Sequence, residues 1–120
     1  MDAEKLREYC LSLNNVTESF PFDEVTLVFK VQGKMFALVN LDGELSINIK
    51  CDPEKAIELR EHFSSVLPGY HMDKKHWNTI MIDGSIDDNL IYSWISDSYN
   101  LVFSKLPYLQ RIKKTNDKKS

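Results

Sequence analysis

Thirteen residues, PGYHMDKKHWNTI (68–80), hold two histidines, two lysines, an aspartate, a tyrosine and a tryptophan. Three chemistries fit those residue types. His71, Asp73 and His76 are metal donors, but the H-x4-H spacing matches no common zinc pattern, and neither an HExxH nor a cysteine ligand accompanies it. The expectation is no metal. His71 and His76 are also eligible general bases, as are Asp23 and Glu24 by type. No nucleophile elbow, P-loop or dinucleotide fingerprint joins them, so neither an enzyme nor a cofactor is expected.

The third chemistry is contact with nucleic acid. Lys74, Lys75 and His76 could neutralise phosphates, and Tyr70 and Trp77 could stack on bases. Lys30 and Lys50 would extend the patch from the sheet. Charge works against it. The segment 107–120 has five cations and one acid, a net +4. Because the chain totals −3, residues 1–106 carry −7. An acidic body repels a phosphate backbone, so DNA contact must rest on a local patch and be weak and salt-sensitive.

The elements that must position these groups follow from periodicity. The 120 residues, 42% hydrophobic and 28% charged, suit one globular domain. No apolar run approaches the length needed to span a bilayer, and the N-terminus lacks a signal-peptide pattern. A cytoplasmic protein, monomeric and without a membrane partner, is the expectation. Cys10 and Cys51 have no ligand spacing and read as buried thiols.

Residues 2–13 read as a helix capped by Asp2, with Ala3, Leu6, Cys10 and Leu13 on one face. VTESFPFDE (16–24) reads as a connector with an apolar plug. Residues 26–31, 35–41 and 45–50 read as an antiparallel meander turned at Gln32-Gly33 and Asp42-Gly43. Alternation places Leu27, Phe29 and Val31 on one face. It places Val28, Phe36, Leu38 and Asn48 on the other, a candidate ligand or partner surface. Asp52-Pro53 opens a second helix. A short strand near 70–72, a strand over 77–82 and a helix over 85–106, with Ser85 and Asp88 spaced as a capping box, complete the chain. The expected fold is α+β, a two-layer sandwich of antiparallel sheet and helices, ordered α-β-β-β-α-β-β-α. The domain covers 1–107, and 108–120 reads as a basic, flexible tail.

Four stretches together carry a family resemblance: FPFDEVTLVFKVQGKMFAL, SINIKCDPEKAIELRE, PGYHMDKKHWNTI and LIYSWISDSYNLVFSKLP. They closely resemble the MmcQ/YjbR family of small bacterial proteins, over about residues 1–107. The resemblance implies a compact α+β fold of the secretion-chaperone or CyaY-like type. It also implies DNA binding, because the family's fold is similar to a double-wing DNA-binding arrangement. Tyr70, His71, Lys75, His76, Trp77 and Asn78 match the family motif, and the resemblance implies no catalytic residues. Fold analogy does not establish function. Two readings therefore stand: a DNA-binding domain using Lys74, Lys75, His76, Trp77, Lys30 and Lys50, and a non-enzymatic interaction module using the open sheet face.

Overall fold

The computed structural model describes residues 1–107 and 111; the rest of the tail expected at 108–120 lies outside the described residues. Helix α1 (Ala3–Ser12) starts where the Asp2 carboxylate accepts from the Lys5 amide, at 2.8 Å. It buries Leu6 and Cys10. Strands β1 (Val16–Ser19), β2 (Thr26–Val31), β3 (Lys34–Asn40) and β4 (Ser46–Lys50) follow. After them come α2 (Pro53–His62), β5 (Val66–Pro68), β6 (Trp77–Met81) and α3 (Asp88–Ser104). The strands form one sheet, β1-β2-β3-β4-β6-β5, antiparallel throughout. The helices bury Leu6, Leu59, Trp94, Ile95 and Tyr99 against Phe29, Val39, Ile47 and Ile80 of the sheet. The fold is the expected two-layer α+β sandwich, with the order α-β-β-β-β-α-β-β-α.

The differences from expectation have local causes. The connector 16–24 begins with an edge strand, β1, which pairs with β2 from Val16↔Val31 to Ser19↔Val28. An edge strand is held by backbone bonds on one side and needs no apolar signature. A bidentate ion pair ties it to α1: Arg7 donates to Glu18 at 2.8 and 2.7 Å. The same segment carries no plug, since Phe20 and Phe22 are exposed. The strand expected at 70–72 lies instead at Val66–Pro68, an edge position that tolerates proline. Helix α3 is capped by Asp87, not Ser85.

Phe36 is the main correction. Pairing runs Phe29↔Ala37, then Lys30↔Met35, which leaves Phe36 as an extra residue in a β-bulge. The bulge breaks alternation, so Phe36 and Ala37 both join the core under the helices. Phe36 meets Tyr99 edge-on, 5.4 Å between ring centroids. It therefore does not share the open face with Val28 and Leu38. Ser98 of α3 sits in the opening beside the bulge. Its hydroxyl donates to the Phe36 carbonyl at 2.6 Å and accepts from the Lys50 amide at 2.8 Å.

Ser85 has a different task from the one expected. Its amide and hydroxyl donate to the Asp83 carboxylate at 2.9 and 2.6 Å, and the Ser65 hydroxyl donates at 2.5 Å. These bonds, that of Ser65 foremost, lower the Asp83 pKa from 3.8 to about 2. A lowered carboxylate pKa gives stability that is complete above the unfolded value and lost as pH falls through the folded one. The stability difference between the unsubstituted chain and Asp83→Asn is therefore expected to shrink from pH 3.8 to about 2. Acid titration of the melting temperature of both chains measures it.

Candidate ligand cleft on the open sheet face

The sheet face away from the helices carries one continuous cross-strand row. Register places Val28 beside Leu38, Leu38 beside Asn48, and Asn48 beside Thr79. Val28, Leu38 and Trp77 form a second, smaller core with Met35 and Met72 packed on it. The cover is the segment 69–76, which folds back over the sheet; no helix among the described residues lies there.

Polar groups in the row hold that segment down. Thr79 Oγ1 donates to Asn48 Oδ1 and accepts from the Tyr70 amide, the latter at 2.9 Å. Asn48 Nδ2 donates to the Tyr70 carbonyl at 3.3 Å. Tyr70 is thus fixed through its backbone, while its side chain is 69% exposed. His71 follows at φ 58°, and its ring packs against the Tyr70 ring at 4.1 Å.

The rest of the motif is mostly occupied with its own structure. Lys74 Nζ donates to the Gly69 carbonyl at 3.0 Å, and Arg60 donates to the Lys74 carbonyl at 2.9 Å. His76 Nδ1 meets the Asp73 carboxylate at 2.6 Å, and the Lys75 amide donates to Asp73 at 2.9 Å. Those two contacts, His76 first, hold Asp73 below the usual carboxylate range. Trp77 is 9% exposed and belongs to the small core. Lys75 remains exposed, its charge adding to those that hold Asp73 down. Lys30 is level with Met35 and Lys50 with Trp77, so both lie at the end of the sheet where 73–76 enters β6. Burial and then the nearby Lys105 ammonium push the Lys50 pKa down. The structure thus separates the lysines: Lys74 is tied down, while Lys75, Lys30 and Lys50 flank one end of the face.

Gly69 explains the first half of the motif. A side chain there would put a Cβ 2.8 Å from Trp77 Cβ and 2.9 Å from its carbonyl oxygen. Gly69→Ala is expected to cost about 1–3 kcal/mol by overpacking and to lift the 69–73 segment. Chemical denaturation gives the cost, and altered amide shifts at Asn48 and Thr79 would report the displacement.

Between this segment and the 22–26 loop lies a cleft of about 680 Å³. Leu38, Asn48 and Thr79 line its floor, with Met35 and Met72 beside them. Phe22 and Tyr70 stand on opposite walls, and Phe22 is 65% exposed. Asp23 and Asp73 add two carboxylates. Asp23 is held below the usual range by the amides of Val25 and Thr26, which donate at 2.9 and 2.7 Å. Among the described residues, no lysine or arginine lines the cleft. Of the four residues expected on this face, Leu38 and Asn48 line the cleft, Val28 lies beneath it, and Phe36 is on the helix side. Phe22 and Tyr70 were not expected there because loops distant in sequence carry them, and Thr79 because β6 pairs beside β4.

Several proteins are similar to this chain. The protein YbdF of Escherichia coli O157:H7, described as uncharacterised, is 39% identical over 88% of the chain and 91% of its own length. The protein YjbR of Escherichia coli K12, also described as uncharacterised, is 32% identical over 92% of the chain and 95% of its own length. A crystal structure of a Deinococcus radiodurans protein with a DUF419 domain superposes with a TM-score of 0.88. It is 39% identical, covering 93% of this chain and 86% of that one. A Pseudomonas syringae crystal structure superposes with a TM-score of 0.74 at 25% identity, covering 84% of this chain and 98% of that one. No helix among the described residues is long and apolar enough to cross a membrane. The family model YjbR matches residues 11–101, and the chain belongs to the YjbR family.

Proposed function

We propose that this chain is a non-enzymatic, cytoplasmic binding module whose open sheet face takes a small organic molecule, neutral or cationic. The observation that carries this reading is the cleft over Leu38, Asn48 and Thr79, with exposed Phe22 and Tyr70 on its walls. Exposed aromatics rimming a concave apolar floor favour a ligand with a flat apolar body. The ionised Asp23 and Asp73 repel anions and attract a positive group, which the aromatic faces also favour. A thermal-shift comparison tests the proposal. Tyramine and benzylamine are expected to raise the melting temperature, as any ligand of the folded state does, while phenylacetate is not. Phe22→Ala and Tyr70→Ala remove exposed side chains. They are expected to leave the ligand-free melting temperature unchanged and to weaken amine binding about tenfold, the effect of about 1.4 kcal/mol. Stabilisation by the carboxylate alone would overturn the reading.

DNA contact is the second reading. It is favoured by Lys30, Lys50 and the turn carrying Lys75 lying at one end of the sheet. Affinity would come from phosphate neutralisation, with little base readout because Trp77 is buried. Titration of labelled duplex and single-stranded DNA at two salt concentrations tests it. Lys75→Ala is expected to weaken binding and to reduce the salt slope by about one. An unchanged slope, or no binding at low salt, removes DNA as a partner.

A further inference from the structure

On the opposite face of the sheet, the helices leave a groove of about 480 Å³ between α2 and α3. Ile49, Asn78 and Ile80 form its floor, and Leu59, Trp94 and Leu101 its walls. The groove is independent of the open-face cleft, from which the full thickness of the sheet divides it.

Asn78 is the unusual member. It is 1% exposed, and its Nδ2 donates to the Ala56 carbonyl at 3.2 Å. That bond fixes the orientation of the amide, because a flip would set Oδ1 against a carbonyl oxygen. Oδ1 is therefore left buried with no hydrogen-bond partner among the described residues. A buried acceptor without a donor is a net cost to the fold, one that an aliphatic side chain at this position would avoid. A donor that reached Oδ1 from the groove would recover that cost.

We infer that the groove between α2 and α3 binds a small, mainly apolar, neutral molecule whose single N–H or O–H donates to Asn78 Oδ1. Its volume lies in the range of small-molecule sites. Charge at its mouth is balanced, with Lys50 and Lys55 against Asp52 and Asp97, which gives no preference to an ion. Cys51 also lines it, but burial pushes that thiol up to about 11, so the groove binds and does not attack.

Amide chemical-shift mapping on the full chain tests the inference. The probes are indole and phenol, with 1-methylindole and anisole as counterparts that keep the body and lose the donor. Indole or phenol is expected to shift the Asn78 side-chain amide and the backbone amides of Cys51 and Leu101. Each is expected to bind at least tenfold tighter than its methylated counterpart. Leu101→Trp, which fills the groove from a half-buried wall position, is expected to abolish binding and leave the melting temperature unchanged. Asn78→Leu is expected to bring the paired probes to equal affinity. Equal affinity in the unsubstituted chain, no binding by either donor probe, or shifts confined to Leu38, Asn48 and Thr79 would overturn the inference. The last outcome would leave the open-face reading standing.

Discussion

Trp77→Ala is expected to destabilise the fold by about 3–5 kcal/mol, the range for removing a large buried aromatic. The side chain is the largest member of the small core on the open face, packed with Val28, Leu38, Met35 and Met72. Its backbone is equally committed. The Trp77 amide donates to the Asp73 carbonyl at 3.0 Å, and its carbonyl accepts from the Gly69 amide at 2.9 Å. Losing the indole removes the support beneath the 69–76 segment and one wall of the cleft with it. Urea denaturation gives the magnitude, and the neighbouring Lys75→Ala supplies the comparison. That exposed lysine is expected to shift stability by less than about 0.5 kcal/mol. Equal, small effects at the two positions would mean that Trp77 is a surface contact.

Phe36→Ala is expected to cost about 3–5 kcal/mol as well, through the other face of the sheet. Phe36 is fully buried and packs edge-on against Tyr99. Its bulge is completed by Ser98, which bridges the Phe36 carbonyl and the Lys50 amide across the gap between β3 and β4. Ser98→Ala would leave the buried Phe36 carbonyl without this donor, at about 1–3 kcal/mol, and remove the acceptor of the part-buried Lys50 amide. The two side chains share the bulge, so their effects should fall short of additivity in a double-mutant cycle. Small, additive effects measured by denaturation would place Phe36 on the open face and contradict the bulge.

The meander from Thr26 to Lys50 was legible because alternation and turn chemistry agree there. Gln32 and Gly33 both have positive φ, 49° and 80°, as a tight hairpin requires. The starts of α1 and α2 were equally readable from Asp2 and from Asp52-Pro53. Strand β1 was not, because pairing with β2 asks little of its side chains. Phe36 was misplaced for a sharper reason. Alternation assigns every residue of a strand from one parity, and a single bulge reverses that parity without marking the sequence. The site was hidden in a similar way. The motif at 68–80 drew attention to its histidines and lysines. The fold uses Asp73, Lys74 and His76 mostly to shape the segment, and Gly69 to let it approach Trp77. The cleft then depends on the loop carrying Phe22 and the segment carrying Tyr70 both bordering the same strands, a tertiary fact with no local signature.

The proposed open-face ligand is not an anion, and one experiment separates it from DNA. The direct measurement is amide chemical-shift mapping of the full chain, with tyramine and a short DNA duplex titrated in parallel. Saturable tyramine shifts are expected at Leu38, Asn48, Tyr70 and Thr79, with no duplex-induced shift at these positions. Tyramine shifts absent from the cleft, or larger saturable duplex shifts at Lys30, Lys50 and Lys75, would contradict the proposal.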